Sequence, residues 1–207
     1  PPHRHFPLPR HEKVFYVFLQ LDCKSFSNPD LAGIVKKRAE KKIVLELRGD
    51  QVPYTCENFR RLCTGDGLKE GQNGFKGASF FHGCNKHELR GGRIDGVLDA
   101  AGNLPADAGA NRSGYRGGAP FRNECFDLEH ELGTISSFQT RGTHGSEFFI
   151  NTEEDTGYNS MEKNETHIVF GKVVEGYEVV ELISELMGSD KWEEMRAVGN
   201  IADKEQL

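Results

Sequence analysis

The chain has 207 residues, 36% of them hydrophobic and 28% charged, and 26 Lys and Arg stand against 32 Asp and Glu for a net charge of −6. That length suits one core-forming domain, since chains divide mostly beyond roughly 250 residues, and the acidic balance argues against a nucleic-acid binder, whose affinity comes from clustered Lys and Arg. No stretch approaches the ~20 apolar residues of a membrane helix, and an odd five cysteines argue against a disulfide framework. The chain therefore reads as cytoplasmic and off the membrane, with nucleus and cytoskeleton left open.

Residues 1–13 carry four of the eight prolines and three histidines, a composition that buries little, and they read as an N-terminal arm ahead of a domain over 14–207. The run Val14 to Leu21 is short, apolar, β-branched and aromatic, which predicts a buried strand. Residues 22–41 are polar, with the basic cluster Lys36-Lys37-Arg38, and read as an insertion before a second strand at Ile43 to Leu47. Asp50-Gln51-Val52-Pro53 opens a helix, because proline is tolerated at the first helical position. Val52, Cys56, Phe59, Leu62 and Cys63 then recur at helical spacing, and Gly65 supplies a stop.

A loop at 66–74 and a glycine-rich stretch to Gly118 follow, and predict short strands and loops. Thr134 to Phe138, Glu147 to Thr152 and His167 to Val174 are further strand candidates. Tyr177 to Met187 has an apolar helical face of Val179, Val180, Ile183, Leu186 and Met187. Many short strands with two helices and no βαβ alternation predict a mainly β fold, a closed antiparallel barrel capped by helices.

Four strings in this order are specific. Val52-Pro53-Tyr54-Thr55-Cys56-Glu57-Asn58-Phe59-Arg60 resembles the first-helix signature of the cyclophilins. Phe81-His82 with Gly91-Gly92 resembles their catalytic strand region, Gly145-Ser146-Glu147-Phe148-Phe149-Ile150 their pocket strand, and His167-Ile168-Val169-Phe170-Gly171 the strand before their last helix. The resemblance runs from about Val14 to about Asp203. It implies a closed eight-stranded antiparallel barrel with two α-helices, no cofactor, and cis–trans isomerisation of X-Pro bonds. Such a catalyst lowers a barrier of ~20 kcal/mol by weakening amide resonance in the twisted state.

The pattern departs from the family at the site. Where the family has Phe-His-Arg, this chain has Phe81-His82-Gly83, so Gly83 takes the place of the catalytic arginine. The following stretch is one residue short; Glu88 aligns with a pocket phenylalanine and Arg90 with a glutamine. Glu147 replaces the second glutamine, and Phe138-Gln139-Thr140 replaces the alanine-asparagine-alanine segment that holds the substrate backbone. A family tryptophan has no counterpart in 155–161; the single Trp192 lies near the C-terminus, which weakens the case for cyclosporin binding. Phe149, His167 and Leu89 remain to line a small proline recess, with Gln139 and Glu147 beside it for a peptide.

The leading expectation is a cyclophilin-like protein with weak or lost isomerase activity, a pseudoenzyme that binds a protein or proline-containing peptide, as one component of a larger assembly. The alternative is an active isomerase assisting protein folding, with Arg90 or Arg93 reaching over Gly83. An ion pair between Arg90 and Glu147 is expected to consume the cation. A zinc site on His82, Cys84 and His87 is a third reading; only three ligands lie close together, and His82 has a simpler role packed within the barrel.

Overall fold

The computed structural model describes residues 13–23, 42–68, 74–76, 78, 80, 82–84, 87–94, 112–115, 118, 121–122, 124–125, 127–139, 143–153, 166–187 and 198–202. All but the last residue of the expected arm, positions 24–41 of the expected insertion, most of the 66–74 loop, residues 155–161 and Trp192 lie outside them.

Ten strands and two α-helices are described: β1 (Val14–Cys23), β2 (Ile43–Arg48), α1 (Pro53–Thr64), β3 (His82–Cys84), β4 (Glu88–Gly91), β5 (Phe121–Arg122), β6 (Thr134–Ser137), β7 (Thr143–His144), β8 (Phe148–Asn151), β9 (Ile168–Glu175), α2 (Tyr177–Met187) and β10 (Val198–Ala202). Eight strands form one sheet in the order β10-β1-β2-β9-β6-β8-β4-β3, and β5 pairs separately with β7. Every pairing is antiparallel. The protein is thus mainly β with two helices and a large antiparallel sheet. Among the described residues the sheet is open, with β3 and β10 as edges that pair with β4 and β1 alone. β3 is only three residues long, which leaves little ladder with which to close.

The β1 strand outlasts its predicted end by two residues, Asp22 and Cys23, because both pair with β10. Alternate positions along the strands point into one core, as the pleat requires, while β6 and β8 are buried on both faces. Leu45, Leu47, Leu89, Ile135, Phe148, Ile150 and Phe170 join one core cluster, and Phe59, Phe75 and Phe148 meet within it at centroid separations of 5.2 to 5.5 Å. Gly171 lies where β9 crosses β2; a Cβ there would collide with the Glu46 carbonyl, so only glycine lets the two backbones approach.

Pro53 opens α1 as expected, and Gly65 closes it in the left-handed region at φ 75°, its N–H bonded to the Arg61 carbonyl. Val52 offers no capping oxygen, and Glu124 caps from a distance. One carboxylate oxygen accepts from the Tyr54 N–H at 2.9 Å, and the other from the Thr55 N–H at 2.7 Å and the Thr55 hydroxyl at 2.6 Å. A carboxylate at a helix N-terminus satisfies orphan donors and complements the macrodipole.

The apolar stripe of Val52, Cys56, Phe59 and Leu62 faces the core, yet Thr55, Glu57, Asn58 and Arg60 are buried too. Polar side chains on the far face are therefore paired. Burial opposes ionisation of Glu57, but hydrogen bonds from Arg60 and Arg61, both at 2.8 Å, outweigh it and hold the carboxyl below its ordinary range. Arg60 also reaches Asp66 at 2.8 Å. Burial pushes the Cys56 thiol well above its usual pKa, which makes it a small hydrophobe in practice. Helix α2 buries Val179, Val180 and Ile183, leaves Glu181 and Glu185 exposed, and packs against β3, β4 and β2.

Candidate functional site

Strands β4, β8 and β6 lie side by side with β8 in the centre, and their registers align Arg90 with Phe149 and Phe149 with Ser136. Side chains alternate along a strand, so Arg90, Phe149 and Ser136 share one face of the sheet, and Leu89, Ile150 and Ile135 the other. The second set belongs to the core cluster, from which Phe149 is absent. The same alternation adds Glu88, Glu147 and, just past the end of β6, Phe138 to the first face. Two glutamates, an arginine and two phenylalanines thus assemble on the face turned away from the core.

Phe149 is nevertheless 0% exposed. His130 stacks on it with rings 4° apart and centroids at 5.6 Å, and is held by a 2.8 Å hydrogen bond between its Nε2 and the Ser136 hydroxyl. His167 meets it edge-on at 5.2 Å. His167 Nδ1 accepts the Gln139 N–H at 3.1 Å, so in this bond its ring is neutral and any proton sits on Nε2. Phe138 stacks on His167 at 5.0 Å, and the Arg90 guanidinium lies 4.3 Å from the centre of the Phe138 ring. The result is a continuous aromatic and cationic stack from His130 to Arg90.

The expected Arg90–Glu147 pair does not form. Arg90 bonds through Nε to Glu88 at 2.5 Å, and Glu147 instead meets Arg93 at 3.3 Å. The reason is local geometry: Glu88 and Arg90 are two apart on one strand and share a face, whereas Phe138 draws the guanidinium over its ring. Among the described residues the two terminal amino groups of Arg90 have no hydrogen-bond partner.

Of the other residues singled out from sequence, Leu89 is fully buried in the core, on the opposite side of β4 from Phe149. Gln139 is beside His167 through its backbone. Gly83 pairs with Leu89 and His82 with Arg90. The side chains of His82 and Cys84 lie outside the described residues, and with them the zinc reading; His87 is close to Glu153, with Nδ1 at 3.3 Å from the carboxylate. Gly92 adopts φ 83°, where a Cβ would strike the Ser146 carbonyl, so this glycine fixes how β4 leaves the sheet beside the Glu147 segment. His130 carried no local signal in the sequence, since it sits in the loop ahead of β6; Phe138 was visible there only as an aligned position.

The segment that carries Glu147 is tied to α1. Asn58 donates from Nδ2 to the Gly145 carbonyl and accepts the Gly114 N–H at Oδ1, each at 2.7 Å. Phe138 N–H bonds to the Glu147 carbonyl at 2.9 Å, which extends the β6–β8 ladder to the edge of the site.

This geometry can be set beside known proteins. A family model described as cyclophilin type peptidyl-prolyl cis-trans isomerase/CLD matches residues 34–203. The chain is 36% identical over 152 residues to "Peptidyl-prolyl cis-trans isomerase cyp11" of Rhizopus delemar, an alignment that covers 69% of this chain and 39% of that relative. The chain thus spans well under half the length of the curated relative it matches. The match over most of the chain, with the antiparallel sheet and the two helices in their expected places, shows that this chain belongs to the cyclophilin-type peptidyl-prolyl cis-trans isomerase family.

Proposed function

We propose that this chain is a cyclophilin-like protein-binding module whose isomerase activity is weak or lost, working within a larger assembly in the cytoplasm. The observation that carries the reading is the fully buried Phe149: the aromatic expected to floor a proline recess is covered by its own neighbours. Gly83 at the position of the family's catalytic arginine supports it, as does the engagement of Arg90 with Glu88 and Phe138. Removing one preorganised donor costs roughly 10²- to 10³-fold in rate. Closure of the sheet into the family's eight-stranded barrel, and an arm and insertion that contact the assembly, are part of the same proposal; the partner is a protein or proline-containing peptide, with no cofactor, nucleic acid or membrane.

The alternative, an active isomerase assisting protein folding, is favoured by one observation. Arg90 stands directly across from Phe149, and its amino groups have no hydrogen-bond partner among the described residues, so a guanidinium is at hand though not at the family position. Arg93, 49% exposed and paired with Glu147, is the less suited cation.

A substitution tests whether the covered Phe149, rather than the missing arginine alone, limits activity. If absence of the arginine were the sole defect, Gly83→Arg would restore activity. Position 83 pairs with Leu89, a core residue, so an arginine introduced there shares the core face and stands away from Phe149. Gly83→Arg is expected to leave the rate on an X-Pro peptide within about twofold of the native chain, and a gain approaching the roughly 10²-fold worth of a placed donor would reject this account.

A further inference from the structure

Strands β4 and β6 are not neighbours; β8 runs between them. With adjacent strands about 4.8 Å apart, their backbones are separated by about 10 Å. Yet the Arg90 guanidinium, from β4, lies 4.3 Å from the ring centre of Phe138, which follows β6. The contact can be made only across the face of β8. Phe149 projects from that face, and it is the residue paired directly with Arg90 on one side and with Ser136 on the other.

We propose that Phe138 and Arg90 form a built-in roof over Phe149, and that Phe138 is the residue deciding which peptides the face accepts. This rests on the reading of the face as a peptide-binding site. The roof has three fixings. His167 stacks beneath Phe138, the Gln139 N–H bonds to His167 Nδ1 and anchors the backbone next to Phe138, and Glu88 holds Arg90 by Nε. A guanidinium over an aromatic face is attracted by the ring quadrupole and also covers the ring with its planar, weakly hydrated surface.

The roof excludes a prolyl ring from Phe149 while presenting its own surface to a partner. That surface is the upper side of Arg90, whose two amino groups have no hydrogen-bond partner among the described residues, on the same face as Glu147 with its partner Arg93. A peptide that binds the native chain therefore meets charge and hydrogen-bond donors first, and an acidic side chain suits Arg90 where a proline does not. Truncation of Phe138 takes away the ring on which Arg90 rests and uncovers an apolar hollow bounded by Phe149, His130 and His167.

The test is titration of a short Ala-Pro peptide into the full chain, native and Phe138→Ala, followed by NMR shifts of the Phe149 and His167 rings. Phe138→Ala is expected to bind at least tenfold more tightly than the native chain, with ring shifts at Phe149. Arg90→Gln, which keeps Phe138 but removes its cation, is expected to give a smaller gain and serves if Phe138→Ala does not fold. Affinities within twofold across the three proteins, or no binding by either variant, would overturn the roof. The isomerase reading is judged apart, from peptide exchange rates in the native chain: fast exchange there refutes attenuated activity, whereas the roof stands or falls on the affinity ratio.

Discussion

Asn58→Ala is expected to cost about 4 kcal/mol of stability and to lower the melting temperature by about 10 °C. Asn58 is buried, and its amide satisfies two backbone groups at once, the Gly145 carbonyl and the Gly114 N–H. An alanine leaves both without a partner and out of water's reach, at about 1–3 kcal/mol each. For a chain of this size each kcal/mol corresponds to roughly 2–4 °C. Asn58→Asp keeps the acceptor for Gly114 but sets an anionic oxygen against the Gly145 carbonyl, so it is expected to be no milder. Denaturant unfolding measures the loss, and hydrogen exchange at residues 145–147 should rise with it, because Asn58 is what holds this stretch to α1. A loss under about 1 kcal/mol would mean that water replaces the amide at both groups.

His144 should make the protein lose stability in mild acid. The ring is buried on β7 against Phe121, with Nδ1 2.8 Å from the Ser137 hydroxyl. Burial lowers its pKa from the usual 6.5 to about 4, against a smaller opposing effect of a hydrogen bond to the Ser137 backbone. Above the unfolded value both states are neutral and the group contributes no pH dependence. As pH falls from 6.5 toward 4 the unfolded chain takes up a proton that the folded chain refuses, so unfolding gains by about 1.4 kcal/mol per pH unit, approaching about 3 kcal/mol in all. Below about pH 4 the folded ring also protonates and the loss levels off. Unfolding free energies at pH 7 and pH 4.5 for the native chain and His144→Phe check this; the variant should show the shallower slope, and equal slopes would contradict the burial of a neutral ring.

Both helices were legible in the sequence for physical reasons. Tyr177–Met187 carries Val179, Val180 and Ile183 at helical spacing after Gly176, and Pro53 with Gly65 brackets α1. The longer strands β1, β2, β8 and β9 announced themselves by apolar content. The four-residue β6 fell within the expected strand Thr134 to Phe138, but β5, β7 and β10 gave no such signal. The β5 and β7 strands are too short to show a period, and β10, with Gly199 and Asn200 inside it, is a strand only because β1 offers it a ladder.

The site was partly legible. Phe149, His167, Arg90 and Glu147 were named from sequence and do converge on one face. What sequence could not supply was which partner each charge takes. Glu88 wins Arg90 through strand alternation, and Phe138 reaches it over an intervening strand, a relation that depends wholly on sheet order. Leu89 lined the recess on paper, yet the pleat turns it into the core. One residue of register separates the two faces.

An attenuated active site predicts that this family member no longer isomerises prolines at the rate its fold allows. This is tested most directly by exchange NMR of an X-Pro peptide with catalytic amounts of the native chain and of Arg90→Ala. The account predicts exchange close to the uncatalysed rate, tens to hundreds of seconds at 25 °C, unchanged by Arg90→Ala. Exchange accelerated many-fold by the native chain and abolished by Arg90→Ala would contradict it, and would mean that Arg90 does the work of the missing arginine.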